Sequence, residues 1–230
     1  MLVLVNEDIA CELEKATGKK TIPLPAYSKV SKSISKHADT LACVIENTLF
    51  VYADYLKENK QLFEKIYGYR IVGVERLCKN EYPHDVGLNI LIVGKKMFCN
   101  TKYTSLQVIE FAKKNGYEII DIKQGYAGCT TVAIGENAAI TSDMGVYRAL
   151  TSEGIDSLYV SSNDIYLEGY NTGFFGGSVC FLDNTLYIFG DLQNHRDYDK
   201  ILAFLGQKNI ALKCILPGGV SDFGGIRLLK

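Results

Sequence analysis

The chain is short of several things, and each shortage removes a class of function. It has no surplus of charge. With 25 Lys and Arg against 26 Asp and Glu, the formal net charge is −1, which suits neither a general nucleic-acid binder nor an anionic-membrane binder. The Lys19–Lys20 pair and the lysines of the expected helices read as solvated faces. No apolar run approaches the ~20 residues needed to span a bilayer. Residues 1–8 carry no basic stretch and turn acidic at Glu7 and Asp8, unlike a signal peptide. There is no CxxC, and the seven cysteines are an odd number, which fits reduced thiols in a cytoplasmic protein better than a disulfide framework. The three histidines stand in no metal-ligand spacing, and no GxGxxG or Walker pattern occurs, so neither metal nor organic cofactor is expected. No low-complexity stretch or linker divides the chain, which reads as a single domain, 1–230.

What the chain does have is repetition. A turn between two apolar runs recurs at Ile45-Glu46-Asn47-Thr48-Leu49, Val93-Gly94-Lys95-Lys96-Met97, Ile134-Gly135-Glu136-Asn137-Ala138 and Leu182-Asp183-Asn184-Thr185-Leu186. The spacing is roughly 40–50 residues, that of units which each bury a face against a neighbour. Each unit reads strand, turn, strand, helix, closing Gly, strand. First strands are expected over 40–45, 88–93, 129–134 and 178–182, second strands over 49–53, 96–100, 138–141 and 185–189. Helices follow over 56–67, 105–115, 145–153 and 197–205, closed by Gly68, Gly116, Gly154 and Gly206, where the left-handed residue after a helix carries no Cβ penalty. Third strands then return over 69–74, 117–122, 155–160 and 210–215.

A fifth unit is split across the termini. Residues 223–229 supply its first strand, 1–5 the second, 9–17 the helix, Gly18 the stop and 21–24 the last strand. The expected fold is therefore an α/β propeller of five ββαβ units, its ring closed by the two terminal segments, with helices covering the outside. The competing architecture is a three-layer α/β sheet. The recurrent hairpins argue against a purely parallel one, since a tight turn joins only antiparallel strands.

In such a ring the first strands face the middle, so the residues that open them converge. Those positions are His37-Ala38-Asp39-Thr40, His84-Asp85, Gly128-Cys129-Thr130-Thr131, Gly176-Gly177-Ser178 and Ser221-Asp222. Reactive and polar types gathered by topology mark a candidate site.

This arrangement resembles the pentein family, the guanidino-group-modifying enzymes, which are five-bladed α/β propellers. They include arginine and agmatine deiminases, dimethylarginine dimethylaminohydrolase and amidinotransferases. His37-Ala38-Asp39-Thr40-Leu41 is similar to the family's H-x-D-T strand opening, which carries a catalytic histidine and a guanidinium-binding acid. Leu88-Asn89-Ile90-Leu91 is similar to its N-h-L strand, and Gly125-Tyr126-Ala127-Gly128-Cys129-Thr130-Thr131 to the Gly-rich segment ending in C-x-T that holds the nucleophile. The order and unit spacing of the three agree. In the family the Cys segment usually lies at the C-terminus, whereas here two more units follow it, the result expected of a circular permutation. Gly128 stands where several members have a histidine. An acid expected near Gly177-Ser178 is missing, and Gly218-Gly219-Val220-Ser221-Asp222 matches the family's G-G-D only inexactly.

The resemblance implies a cysteine-dependent hydrolase or transferase acting on a small cationic guanidino or amidino compound. Cys129 would be the nucleophile, His37 the proton-transfer group and Asp39 a guanidinium-binding acid. Asp222, Asn89, Asp85, His84, Thr131 and Ser178 would line the substrate, and His84 is the substitute base. Loop 161–175 would set substrate identity. Each residue also has a plainer reading. Cys129 after a glycine can be a core filler, and His37 a surface residue of the Ser/Lys-rich stretch 28–36. Asp39 can cap a turn, and the Gly-Gly pairs at 176–177, 218–219 and 224–225 can serve turns and close packing or an anion site. The alternative function is a non-catalytic binding module on the same fold, and oligomeric state is open.

Overall fold

The structure, a computed structural model, describes residues 1–75 and 81–229; Cys78, read above as a reduced thiol, lies outside them. Strand β1 (Leu2–Asn6), helix α1 (Ala10–Thr17) and β2 (Lys20–Leu24) come first. A one-turn helix α2 (Ala38–Leu41) then opens β3 (Ala42–Ile45), followed by β4 (Thr48–Tyr52), helices α3 (Ala53–Glu58) and α4 (Lys60–Phe63), and β5 (Arg70–Val74). The next unit is β6 (Leu91–Val93), β7 (Lys96–Cys99), α5 (Leu106–Lys114) and β8 (Glu118–Asp121). Another short helix, α6 (Ala127–Thr130), opens β9 (Thr131–Ala133), which leads to β10 (Ala138–Thr141), α7 (Met144–Ser152) and β11 (Asp156–Tyr159). A 3₁₀ turn, Gly176–Ser178, opens β12 (Val179–Leu182), then β13 (Thr185–Ile188), α8 (Tyr198–Gln207) and β14 (Ala211–Cys214); β15 (Ile226–Leu229) ends the chain.

These strands form five three-stranded sheets, β3-β4-β5, β6-β7-β8, β9-β10-β11, β12-β13-β14 and β15-β1-β2. In each, the first strand pairs antiparallel with the second and the second parallel with the third. The fifth sheet joins the two ends of the chain: β15 pairs antiparallel with β1, Leu2 opposite Leu229 and Val5 opposite Ile226, and β1 runs parallel to β2. The five first strands β3, β6, β9, β12 and β15 line one axial cavity, which places them innermost around a common axis.

Burial follows position in the blade. The middle strands β4, β10 and β13 are buried throughout, because they are flanked by strands on both edges and covered on their faces. The outer strands β8, β11 and β14 are mostly exposed and carry Glu118, Asp121, Asp156 and Lys213, charged side chains that blunt a free edge against further pairing. The helices put one stripe inward: Val108, Ile109 and Ala112 from α5, Val146 and Leu150 from α7, Ile201, Phe204 and Leu205 from α8. Each such side chain, fully buried, stabilises the blade by about 1.5–3 kcal/mol.

Three expectations are corrected. The first strands are shorter than the apolar runs suggest, because residues 38–41, 127–130 and 176–178 coil into turns before the strand begins. The coil delivers polar residues to the axis that an extended strand would alternate outward. The helix expected over 56–67 is two shorter pieces broken at Asn59, whose side chain bonds back to the Tyr55 carbonyl at 3.0 Å. Gly206 lies inside α8 rather than after it, and Asn209 (φ 55°) takes the left-handed position beyond it; Gly18, Gly68, Gly116 and Gly154 do have positive φ. Among the described residues, no helix is long and apolar enough to cross a membrane.

Candidate functional site

Cys129 sits in the turn of α6, 3 % exposed, with the Asn89 side chain wrapped around it. Asn89 Nδ2 lies 2.9 Å from Cys129 Sγ and donates to the Asp39 carbonyl at 3.0 Å. Its Oδ1 accepts from the backbone N–H groups of Gly128 at 2.7 Å and Cys129 at 3.3 Å. One fully buried amide thus ties together the strand openings of three units, those of residues 37–41, 88–91 and 127–131. Gly128 follows from the same packing. A Cβ there would meet the Ile90 carbonyl at 2.7 Å, so the histidine found at this position in several penteins has no room.

Asp39 is buried in the first turn of α2. Its backbone N–H donates to the Gly224 carbonyl at 3.1 Å, and the Thr40 hydroxyl donates to Oδ1 at 3.3 Å, while Oδ2 is buried without a hydrogen-bond partner. It caps no helix end. His37, 2 % exposed, is not a surface residue; its Nδ1 makes no hydrogen bond and faces Asp222 Oδ1 across 3.7 Å. Asp222 in turn accepts from the backbone N–H of Gly224 at 2.9 Å and of Phe174 at 2.8 Å, so loop 161–175 reaches the site through its backbone.

Glycines make this contact possible. A Cβ on Gly177 would lie 2.0 Å from Asp222 Oδ1, and one on Gly224 (φ 79°) would lie 2.3 Å from the His37 Cβ. The Asp222 carboxylate, from the neighbouring unit, fills the space that a side chain at 177 would take. For these pairs the packing reading holds.

The remaining candidates divide. Asp85 is buried and accepts from the Tyr126 hydroxyl at 2.8 Å, while its carbonyl accepts from Tyr52 at 3.1 Å. Tyr126 stands three residues before Cys129, inside the segment already singled out, yet its role was not legible; its ring neighbours those of Tyr82 (5.2 Å) and Phe174 (6.0 Å). Thr131 spends its hydroxyl on Thr141 (2.8 Å) and Thr130 (3.1 Å), and Ser178 donates to the Phe175 carbonyl at 2.8 Å, so both hold scaffold rather than face the thiol. His84 is half-buried and meets the Tyr103 ring edge-on at 5.7 Å. No described contact joins His84 to Cys129.

The electrostatics favour a protonated site when no cation is bound. Burial, the charges of Asp39 and Asp222, and a hydrogen bond to Asp39 all hold the Cys129 thiol well above its ordinary value; only the Asn89 amide opposes them. Burial, with the Asp39 charge, pushes Asp222 up to about 6, against the pull of His37 and two backbone N–H bonds. Tyr126 holds its phenolic proton more tightly than usual because it is buried and bonded to Asp85. Among the described residues no group of three or more His, Cys, Asp or Glu side chains could hold a metal ion.

No curated protein matches the sequence. Among solved structures, a mutant DDAH from Pseudomonas aeruginosa complexed with citrulline is similar at 8 % identity and TM-score 0.56, covering 94 % of this chain and 91 % of its own. An agmatine deiminase of C. jejuni matches at 12 % and 0.56, covering 94 % and 87 %. SxtG, an amidinotransferase of the saxitoxin biosynthetic pathway from Microseira wollei, matches at 10 % and 0.59, covering 94 % and 88 %. Identities this low speak to fold, and the fold they share with this chain is the five-bladed pentein propeller. A family model matches the sequence itself over residues 4–227, and by that match the chain belongs to the family of unknown function DUF6873.

Proposed function

We propose that the protein is a cysteine-dependent hydrolase or transferase acting on a small guanidino or amidino cation. The observation that carries this reading is the buried cluster itself. A thiol, an imidazole with an unbonded Nδ1 and two carboxylates, one with an unbonded oxygen, share a water-poor hub. Buried anions without partners are costly. A planar guanidinium would satisfy Asp39 and Asp222 through charge-assisted bonds and remove the negative field that keeps Cys129 protonated.

In the proposed sequence the bound cation lets the Cys129 thiol pass its proton to His37, and the resulting thiolate attacks the central carbon of the cation. His37 protonates the departing amine as its C–N bond breaks, which leaves a thiouronium-type intermediate on sulfur. His37 then takes a proton from water, whose oxygen adds to the same carbon, and the C–S bond breaks to return the thiolate. In the transferase variant an acceptor amine replaces water. Asn89 orients the sulfur, and Tyr126 with Asp85 forms a wall beside it. The citrulline bound in the DDAH neighbour and the agmatine named for the C. jejuni deiminase fit this chemistry. The position of the Cys segment two units before the C-terminus fits a circularly permuted pentein.

One feature favours the alternative, a non-catalytic binder: burial and the charges of Asp39 and Asp222 oppose ionisation of the thiol and outweigh the Asn89 amide. Alkylation separates the two readings. Cys11 and Cys214 are exposed and will react with neutral iodoacetamide and cationic chloroacetamidine alike. A catalytic site predicts that chloroacetamidine alone adds a further single label at Cys129 at neutral pH, seen by intact mass and peptide mapping, and lost in His37→Ala. Equal, slow labelling of Cys129 by both reagents, together with no thermal shift by arginine, agmatine or methylated guanidines, would refute the enzyme.

A further inference from the structure

The axial cavity, about 750 Å³ in volume, is a different place from the thiol cluster. One end is ringed by the exposed hairpin residues Glu46, Lys95 and Glu136, and the other by the backbone of Gly128, Gly176 and Gly225. Cys129, Asn89, Asp39, His37 and Asp222 do not line it. The volume is that of a small-molecule pocket, roughly 300–1,000 Å³.

Its lining contains one cation with no counter-charge. Arg227 of β15 reaches the lumen half-buried; its Nε donates to the Ala42 carbonyl and its Nη1 to the Ile226 carbonyl, each at 2.9 Å. Nη2 is closed off from solvent beside Gly128 and has no hydrogen-bond partner. Among the described residues no carboxylate pairs with it. Of the two acids at the cavity mouth, Glu46 is already taken by Lys95 at 2.6 Å and by the Tyr117 hydroxyl at 2.9 Å, and Glu136 stands exposed at the rim with no described ion pair to Arg227. A guanidinium kept in a recessed lumen without an anion is unfavourable, and although Nη2 is sealed and the other two nitrogens already donate to carbonyls, its positive charge would draw a carboxylate or phosphate that enters the lumen. The inner strands add to this, since each is the edge strand of its sheet and leaves peptide groups free on that edge.

We propose that the axial cavity is a second binding site, for a small oxyanion held in the lumen by the uncompensated charge of Arg227. It goes beyond the reading of Cys129 as a nucleophile and does not depend on it. The test is thermal unfolding of the full chain at constant ionic strength with inorganic phosphate, sulfate or succinate. The expected result is a rise in Tm of about 2–5 °C at tenfold excess over Kd from at least one of them. Response to phosphate and sulfate would identify a phosphoryl source, and response to succinate a carboxylate. The rise should vanish in Arg227→Gln and persist in Cys129→Ser. No rise with any of the three, a rise that survives Arg227→Gln, or a rise lost in Cys129→Ser would each overturn the proposal. Should Arg227→Gln fail to fold, Ala133→Leu fills the lumen from β9; a rise that survives it is equally fatal.

Discussion

The two ends of the same five inner strands differ in almost every physical respect. At the opening end His37, Asp39, Asn89, Cys129 and Asp222 are at most 6 % exposed, packed together and crossed by loop 161–175. At the hairpin end Glu46, Lys95 and Glu136 are exposed around an open lumen. The backbone makes the difference. Short hairpins carry left-handed residues such as Glu46, Gly94, Gly135 and Asn184 and turn straight back, whereas the opening end is coiled turns packed through glycine. Charges in the closed end act on one another with little screening; those at the hairpin rim are screened by water and salt. A propeller can thus keep one face closed and the other accessible without changing its strands.

The largest expected effect tests that contrast directly. Gly224→Ala forces a Cβ into His37 at a left-handed position and should cost more than about 3 kcal/mol in urea unfolding. Gly135→Ala, left-handed but with nothing within 4 Å, should cost only about 1–2 kcal/mol. Equal costs would erase the distinction between the ends. Next, Asn89→Ala leaves the Gly128 N–H, and the sulfur beyond it, without their partner and should destabilise by about 2–4 kcal/mol.

Smaller effects sharpen the electrostatics. Asp222 is raised in the folded state, so the native protein holds its proton where the unfolded chain has released it. Stability from this group is therefore present below the ordinary value of 3.8 and lost as pH rises toward about 6. Asp222→Asn should flatten the decline of unfolding free energy across that window, and an unchanged slope would assign it elsewhere. Asp39→Asn removes a charge and a hydrogen bond that hold the thiol protonated, so iodoacetamide labelling of Cys129 should begin at lower pH than in the parent protein. Smallest of all, Ser178→Ala should cost about 1 kcal/mol and leave Cys129 labelling unchanged, because its hydroxyl serves only the Phe175 carbonyl.

Much of this was legible beforehand because blades are local. Turn residues, periodic apolar runs and glycine stops lie within a few tens of residues of one another, and they set hairpins, helices and even the split fifth unit. The misses share a cause. Asn59 breaking a helix and Asn209 replacing Gly206 are choices among local bonds that periodicity does not register. The hydroxyl bonds of Thr131 and Ser178, the ring contact of His84 and the bond of Tyr126 to Asp85 were illegible for the same reason, since a hydropathy pattern does not say which partner a hydroxyl or ring takes.

By itself the sequence determined the repeating unit, the ring of blades and the set of residues that open the inner strands. Short-range hydrogen bonding and apolar periodicity suffice for those. Tertiary structure alone decided that the Asp222 carboxylate stands over Gly177, that Asn89 grips the thiol, and that Arg227 reaches the Ala42 carbonyl beside the lumen. Each of these joins residues 40 or more positions apart in the chain, where only excluded volume and closure of the wheel bring side chains into reach.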